Sequence, residues 1–322
     1  MRYYIFSGLA AMIVLTTSCT GNRNRGNIVD QTFVHKYGVE VPPEYWTSCG
    51  KDGAVVTTTT DGVKVSKYYA AGILDGETTY TYPHTETIHR KHIYAKGKLI
   101  KEIDYYYDGT PRMEVAHDHS SNLRNVSIWY TTGSPKSQET YEGSRLLSGE
   151  YYTYSNQKDA SVDNFGGIRV NRDDYGQLLS QDTIQEGQRV METTYHSNGA
   201  PKEMVAHKDG AIHGIKKIFH PGGEPNVMEE WVNGIQEGVT TVFLNGEKYA
   251  EVPYTKGCKE GIEKHFKDGS IVVEEIGWSN GKLHGPTIAY VGGEAVKTEW
   301  YYEGEPVTKV NFDRLSARHH TY

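Results

Sequence analysis

Between about Tyr69 and Val307 the chain alternates segments of β-branched, aromatic and charged residues, each long enough for one strand, with polar glycine-containing breaks. The breaks are periodic. Gly72, Gly97, Gly143, Gly187, Gly210, Gly234, Gly257, Gly281 and Gly304 anchor them, and the gaps from Gly187 onward are 23, 24, 23, 24 and 23 residues. A fixed period of this kind marks a repeat architecture, in which one supersecondary unit stacks on the next. Two anchors are absent, near residues 120 and 166. At the first, the stretch from Pro111 aligns without a gap to the stretch from Pro201, which sets Ser120 opposite Gly210 and Arg124 opposite Gly214. At the second, Gly166 and Gly167 fall close to the expected place, and residues 156–170 read as an insertion. Eleven units result, some of them degenerate.

Within a unit three glycines recur, the second four residues after the first and the third about eight later, as in Gly257, Gly261 and Gly269. The first and third are turn residues. They follow Asn or Asp in Asp108-Gly109, Asn198-Gly199, Asp209-Gly210, Asn233-Gly234, Asn245-Gly246, Asp268-Gly269 and Asn280-Gly281, dipeptides suited to φ > 0 at both central positions of a type I′ turn. Each unit is therefore a β-hairpin, and successive units form an antiparallel meander. The second glycine falls early in a strand, where it permits a bulge or the close approach of a ring. Aromatic residues keep the same register. Three positions before the first glycine stand Tyr69, Tyr94, Trp231, Tyr254, Trp278 and Tyr301, with His117 and His207 in the same slot; nine after it stand Tyr106, Trp129, Phe219, Phe243, Phe266 and Tyr290. Two aromatic columns are expected, each ring packing on its neighbour in the next unit. A lone hairpin is unstable, so stacking must supply the core. The fold class is all-β, an elongated, solenoid-like antiparallel array of ~23-residue hairpins over residues 63–308.

The string Trp278-Ser279-Asn280-Gly281-Lys282-Leu283-His284-Gly285, with an aromatic before a turn and two glycines four apart, resembles the variant MORN repeat found in bacterial YwqK-type antitoxin proteins. The likeness covers roughly Val63 to Val307 and is strongest from Gly187 to Gly304. It implies β-hairpin repeats and interaction roles, some at membranes, and brings no shared catalytic residues. A toxin-neutralising or immunity-like protein is the alternative function that the resemblance carries.

The start of the chain reads as a targeting segment. Met1-Arg2 is a short charged region, and Tyr3 to Thr17 is an apolar run too short for a comfortable membrane span. Leu15-Thr16-Thr17-Ser18-Cys19 resembles a bacterial lipobox, departing from it in Thr16, where leucine is usual. The resemblance implies removal of residues 1–18, lipidation of Cys19 and a firm membrane anchor. Residues 19–32, polar and carrying Arg23 and Arg25, read as a flexible tether. Residues 33–62 read as a cap over the first sheet edge, with Pro42-Pro43 and Tyr45-Trp46 as the covering residues. Residues 309–322 lose the period and read as a terminal tail.

Composition adds shape and removes several function classes. Hydrophobic residues make up 37% of the 322, and mean hydropathy is -0.63. A large compact α/β enzyme core is disfavoured, whereas a thin apolar seam suffices for an array. Thirty-five glycines and 25 tyrosines match frequent turns and half-exposed aromatic strands. A formal net charge of -7 gives no electrostatic case for nucleic acid. Of the three cysteines, Cys49 and Cys258 are expected to be unpaired. His89, His92, His117 and His119 have the look of metal pairs, but a structural or surface role is preferred, so no metal or cofactor is expected. Asp163, Asp173 and Asp174 near the insertion are the candidates for a glycan-acting enzyme, the least favoured reading. The preferred one is a non-catalytic, lipid-anchored protein of the bacterial envelope, at the outer rather than the inner membrane, whose repeat surface binds a protein, a lipid headgroup or a cell-wall polymer.

Overall fold

A computed structural model describes residues 28–48 and 50–319. The expected signal segment, Cys19, the first part of the tether, Cys49 and residues 320–322 lie outside the described residues. One open antiparallel sheet of 27 strands contains most of the rest. Glu40–Val41 pairs with one side of Ile28–His35, and Gly53–Thr59 with the other. From there pairing follows the sequence, through Lys64–Ala70 and Ile73–Thr81 to Glu294–Tyr302 and Glu305–Val307, with Ile235–Gln236 and Gly238–Leu244 both on Pro225–Val232 and Cys258–Lys259 and Gly261–Lys267 both on Glu247–Thr255. The meander is therefore a one-dimensional array, as its period requires.

Both edges carry two-residue type I′ turns, Asn245-Gly246 among them on the second edge, and the second edge adds a longer form. On one, Asn280 (φ 50°) and Gly281 (φ 76°) form a two-residue type I′ turn. Gly72, Gly97, Gly187, Gly210, Gly234, Gly257 and Gly304 hold the same second position with positive φ. Many of these turns also ladder between units: Gly97 N–H donates to Leu74 O (2.7 Å), Gly234 to Ile212 O (2.8 Å), Gly281 to Lys259 O (2.9 Å) and Gly304 to Leu283 O (2.8 Å). On the other edge, Asp108-Gly109 and Asn198-Gly199 depart from the type I′ expectation. Tyr106 N–H donates to Thr110 O, Gly109 N–H donates back to Tyr106 O, and Asp108 Oδ1 accepts from Thr110 N–H. This longer turn is followed by a strand opening on proline, at Pro111 as at Pro135, Pro201 and Pro225, and the register slips there, so the missing N–H falls at a bulge. A side-chain ladder ties this edge together. The hydroxyls of Tyr82, Tyr106 and Tyr130 donate to the carbonyls of Tyr105, Trp129 and Tyr152, one unit on, at 2.8–3.0 Å.

Several expected boundaries move. The sheet begins at Ile28, inside the expected tether, because Ile28, Val29, Thr32 and Val34 are β-branched and Phe33 pairs with Val55. In the expected cap, Gly53–Thr59 is a regular strand, and the covering part is Glu40–Val41 with the short helix Pro43–Ser48. There Trp46, 5% exposed, packs on Phe33 (5.6 Å) and Tyr69 (6.3 Å), while Tyr45 is exposed. Residues 156–170 are no insertion. They fold as a hairpin, Lys158–Asp163 and Gly166–Arg172, turning at Asn164-Phe165 between the anchors Gly143 and Gly187. The tail is largely a helix, Lys309–His319, opened by Thr308, whose hydroxyl accepts from Asn311 N–H. Its Phe312 packs among Trp300, Tyr302 and His284.

Burial is concentrated on one face. Following cross-strand partners, Val55, Thr78, Glu139, Val162, Ile184, Asp182, Val205, Thr240, Val252 and Glu263 share a face, and all are buried. The tightest core joins Leu146, Tyr151, Val162, Val170 and Ile184, with Tyr141, Ala160 and Leu178 against it. The sheet curls here. Phe165 N–H donates to Leu147 O, Gly187 N–H to Phe165 O, and Leu146 N–H to Gly187 O, so a turn contacts the next but one. The opposite edge also closes up, with Lys136 paired to Asp174 at 3.3 Å.

Candidate functional site

The first aromatic column lies on the face that carries the buried row. Trp231 is the cross-strand partner of Gly214, Tyr254 of Gly238, Trp278 of Gly261 and Tyr301 of Gly285; Tyr94 and Gly76 repeat the arrangement near the N-terminus. The second glycine of each unit is thus the position opposite an aromatic ring. All five of these glycines have positive φ, 85–108°. At Gly214 and Gly261 an added Cβ would meet Ala206 and Pro253, both at 3.3 Å and both on the opposite face, while on the following strand a side chain stands beside each ring, Gln236 opposite Trp231, Lys259 opposite Tyr254 and Leu283 opposite Trp278.

Rings of successive units do not stack on one another, contrary to expectation. Two strands separate them, which is roughly 9.6 Å of sheet. What approaches them is cationic: Lys259 Nζ lies 4.3 Å from the Trp278 ring centre and Lys216 Nζ 6.0 Å from that of Trp231. These cations are paired in turn, Lys216 with Glu203 (2.8 Å) and Lys259 with Glu263 (2.7 Å). His265 sits between Glu263 and Glu274 at 2.8 and 3.1 Å. The second column, Trp129, Phe219, Phe243, Phe266 and Tyr290, falls on the other face near the opposite turns, where Lys248 covers Phe266 at 4.1 Å. Tyr106 belongs in the turn and not in that column; Tyr105 is the strand counterpart. Burial and the Asp174 charge push the Tyr106 phenol up to about 12, against the pull of Arg112.

A charged cluster that no sequence pattern marked occupies the curled centre. Glu139, 5% exposed, accepts from Arg169 Nε (2.8 Å), Tyr151 (2.9 Å) and Tyr141 (2.7 Å). Burial works to raise the Glu139 carboxyl, but the Arg169 charge and these three donors hold it below the usual range. Asp182 is 3.5 Å from Arg169 and 3.9 Å from Arg189, and burial raises its carboxyl against the pull of both arginines.

The histidines stand apart as metal pairs. His89 faces Tyr82, whereas His92 lies on the opposite side of the same strand, between Tyr80 and Tyr94. Glu102 is bracketed by His92 and His117, each at 3.4 Å, and His119 reaches Leu99 O. No group of three or more His, Cys, Asp or Glu among the described residues has the geometry to hold a metal ion. Burial holds the His92 imidazole below its ordinary value, outweighing Glu102, so the folded chain keeps it neutral while the unfolded chain protonates it near pH 6.5. Its contribution is complete above that pH and is lost as pH falls below it. Thermal melting between pH 7.5 and 5.5 is expected to show a falling Tm that flattens in His92→Phe; an equal fall in both proteins would remove His92 as the cause.

The three candidate carboxylates are not brought together. Asp163 accepts from Ser161 beside one turn, while Asp173 caps its own turn at the far end of Gly166–Arg172, roughly 20 Å away along a seven-residue strand. Asp174, beside Asp173, pairs with Lys136. Cys258 is exposed and has no disulfide partner among the described residues. No helix among the described residues is long and apolar enough to cross a membrane.

No family model matches the chain, and no curated protein matches it. Solved structures do match. One is a crystal structure of TcdB2-TccC3-Cdc42, 11% identical over 76% of this chain and 15% of that one, with a TM-score of 0.20. Another is a porin-like protein from Bacteroides uniformis, 8% identical over 83% of this chain and 92% of that one, with a TM-score of 0.16. The chain spans about 15% of the length of the first.

Proposed function

We propose that this chain is a non-catalytic binding module of the bacterial envelope, anchored by lipid on Cys19 and presenting one face of the repeat array to a partner. The observation that carries the binding reading is the row of half-buried rings, Trp231, Tyr254, Trp278 and Tyr301, that recurs on every second strand of one face. A row that served only packing would bring its rings together, whereas these stand two strands apart with paired charges beside them. The wide separation of Asp163 from Asp173 supports a role without hydrolysis, since paired-carboxylate chemistry needs the two groups within about 10 Å. The apolar run before Cys19 supports the anchor. Cys19→Ser is expected to move the protein from the membrane pellet to the soluble fraction after a carbonate wash. Retention of the variant in the pellet would remove the anchor from this reading.

A further inference from the structure

The first edge of the sheet is only half covered. Glu40–Val41 lies beside Phe33 and Val34, and Pro42 and Pro43 then carry the chain out of that lane into the helix Pro43–Ser48. Beside Ile28, Val29, Asp30 and Gln31 no strand among the described residues pairs on the outer side, and all four residues are exposed, Val29 by 67%. An open edge with apolar side chains pairs readily with another segment. The far end of the array is protected: Glu305–Val307 covers Trp300–Tyr302, and the uncovered part of Glu294–Tyr302 carries Glu294, Lys297 and Glu299, charges that discourage pairing. The opening at the first edge carries one charge, Asp30, and runs into a groove lined by Thr32, Phe33, Val41 and Pro42. The chain just before Ile28 matches it in length, turn chemistry and charge. It reads Asn22-Arg23-Asn24-Arg25-Gly26-Asn27. Gly-Asn, with glycine first, is a two-residue hairpin dipeptide of the type II′ kind. A turn there would set Arg25 opposite Ile28, Asn24 opposite Val29, Arg23 opposite Asp30 and Asn22 opposite Gln31. Four residues would fill the opening, and Arg23 would neutralise its one charge.

We propose that residues 22–25 dock on Ile28–Gln31 as an added antiparallel strand, so that the chain's own tether closes the first edge of the sheet. The proposal rests on the reading of Cys19 as a lipid anchor and assigns the tether a task. Undocked, the nine residues from Cys19 to Ile28 reach roughly 30 Å. Docked, only Thr20 and Gly21 separate Cys19 from the sheet, which holds the first edge within about 10 Å of the anchored residue. A second copy fits the opening less well. Antiparallel pairing of two such openings leaves both Asp30 carboxylates without a cation and buries four residues a side, far less than the ~800 Å² per partner of a stable dimer.

The test follows amide hydrogen exchange of the full chain, purified in detergent, by mass spectrometry at residue resolution. The amides of Arg23 and Arg25 are expected to exchange at least about tenfold more slowly than those of an unstructured chain. Gly26→Pro, whose ring cannot take the positive φ of a type II′ turn, should bring them to the unstructured rate. Arg23→Glu should speed exchange of Arg25 at least about twofold, and adding Asp30→Arg should restore it, since the swapped pair attracts again. Exchange of Gly53–Thr59 should stay the same in every variant, which guards against misfolding. Fast exchange of Arg23 and Arg25 in the native chain, no response to Gly26→Pro, or no recovery in the charge swap would overturn the proposal. Protection that rises with protein concentration would also overturn it, because the edge would then belong to a second copy. Cys19→Ser should keep the protection while leaving the membrane pellet, so failure of the docking and failure of the anchor are read separately.

Discussion

Arg169→Met is expected to destabilise the protein by about 3 kcal/mol at pH 7, the lower end of the cost of breaking a buried ion pair. The lower end applies because the arginine keeps 33% of its side-chain surface accessible, while Glu139 keeps 4%. Without the guanidinium, Glu139 retains only the hydroxyls of Tyr141 and Tyr151, and Asp182 loses its nearer cation. The sign of the pH dependence then reverses. In the native chain the Glu139 carboxyl is held low, so its contribution is present at neutral pH and is lost on acidification. In the variant, burial dominates and the carboxyl rises above its unfolded value, so neutral pH penalises the fold and acid relieves it. Urea melts at pH 7 and pH 4.5 should show a large difference between the two proteins at the first pH and a smaller one at the second. A constant difference would mean that Arg169 acts by packing alone. Adding Glu139→Gln to Arg169→Met should recover part of the loss at pH 7.

The centre was the least legible part of the sequence. Glu139 and Arg169 lie 30 residues apart on non-adjacent strands, and each looks like an ordinary polar strand residue. Only the curl of the sheet, closed by Leu146, Phe165 and Gly187, brings them together. Turn positions were legible because positive φ is written into residue identity, as at Asn280-Gly281. Ala71, Lys96 and Glu186 adopt it too, and there the following glycine was the sole signal. The aromatic spacing was legible as a period, but not what the rings touch. Their contacts depend on how many strands make one unit, and two strands place a glycine where a stacked ring was expected. The recurrence of Tyr82, Tyr106 and Tyr130 every 24 residues was also available. It marks the hydroxyl ladder on the far edge, a bond that a search for ring columns passes over. The strand at Ile28 was hidden by its polar neighbours, and the helix from Lys309 by the loss of the period, although Thr308 is a usable start signal.

Gly167→Ala is expected to cost about 3–5 kcal/mol, since it adds backbone strain to overpacking at one position. Gly167 has φ +143° and is the cross-strand partner of both Val162 and Ile184, two residues of the tightest core. A Cβ there would run into the Ser161 carbonyl and come within 2.8 Å of Val162 Cα, backbone atoms that cannot swing aside as a side chain would. Gly199→Ala is the control. It also has positive φ, +84°, but an added Cβ meets nothing within 4 Å, so strain alone applies and the cost should be about 1 kcal/mol. The shape of the melt carries a second expectation. In a nearest-neighbour array, damage to one unit leaves distant units standing, so Gly167→Ala should split unfolding into an early step for the curled centre and a later one for the flanking hairpins. Near-ultraviolet circular dichroism, which reads the tyrosines of the core, should lose signal before the far-ultraviolet strand signal falls. A single transition shifted by no more than that of Gly199→Ala would show that the hairpin turning at Asn164-Phe165 yields without loss and that the centre is not the array's tightest point.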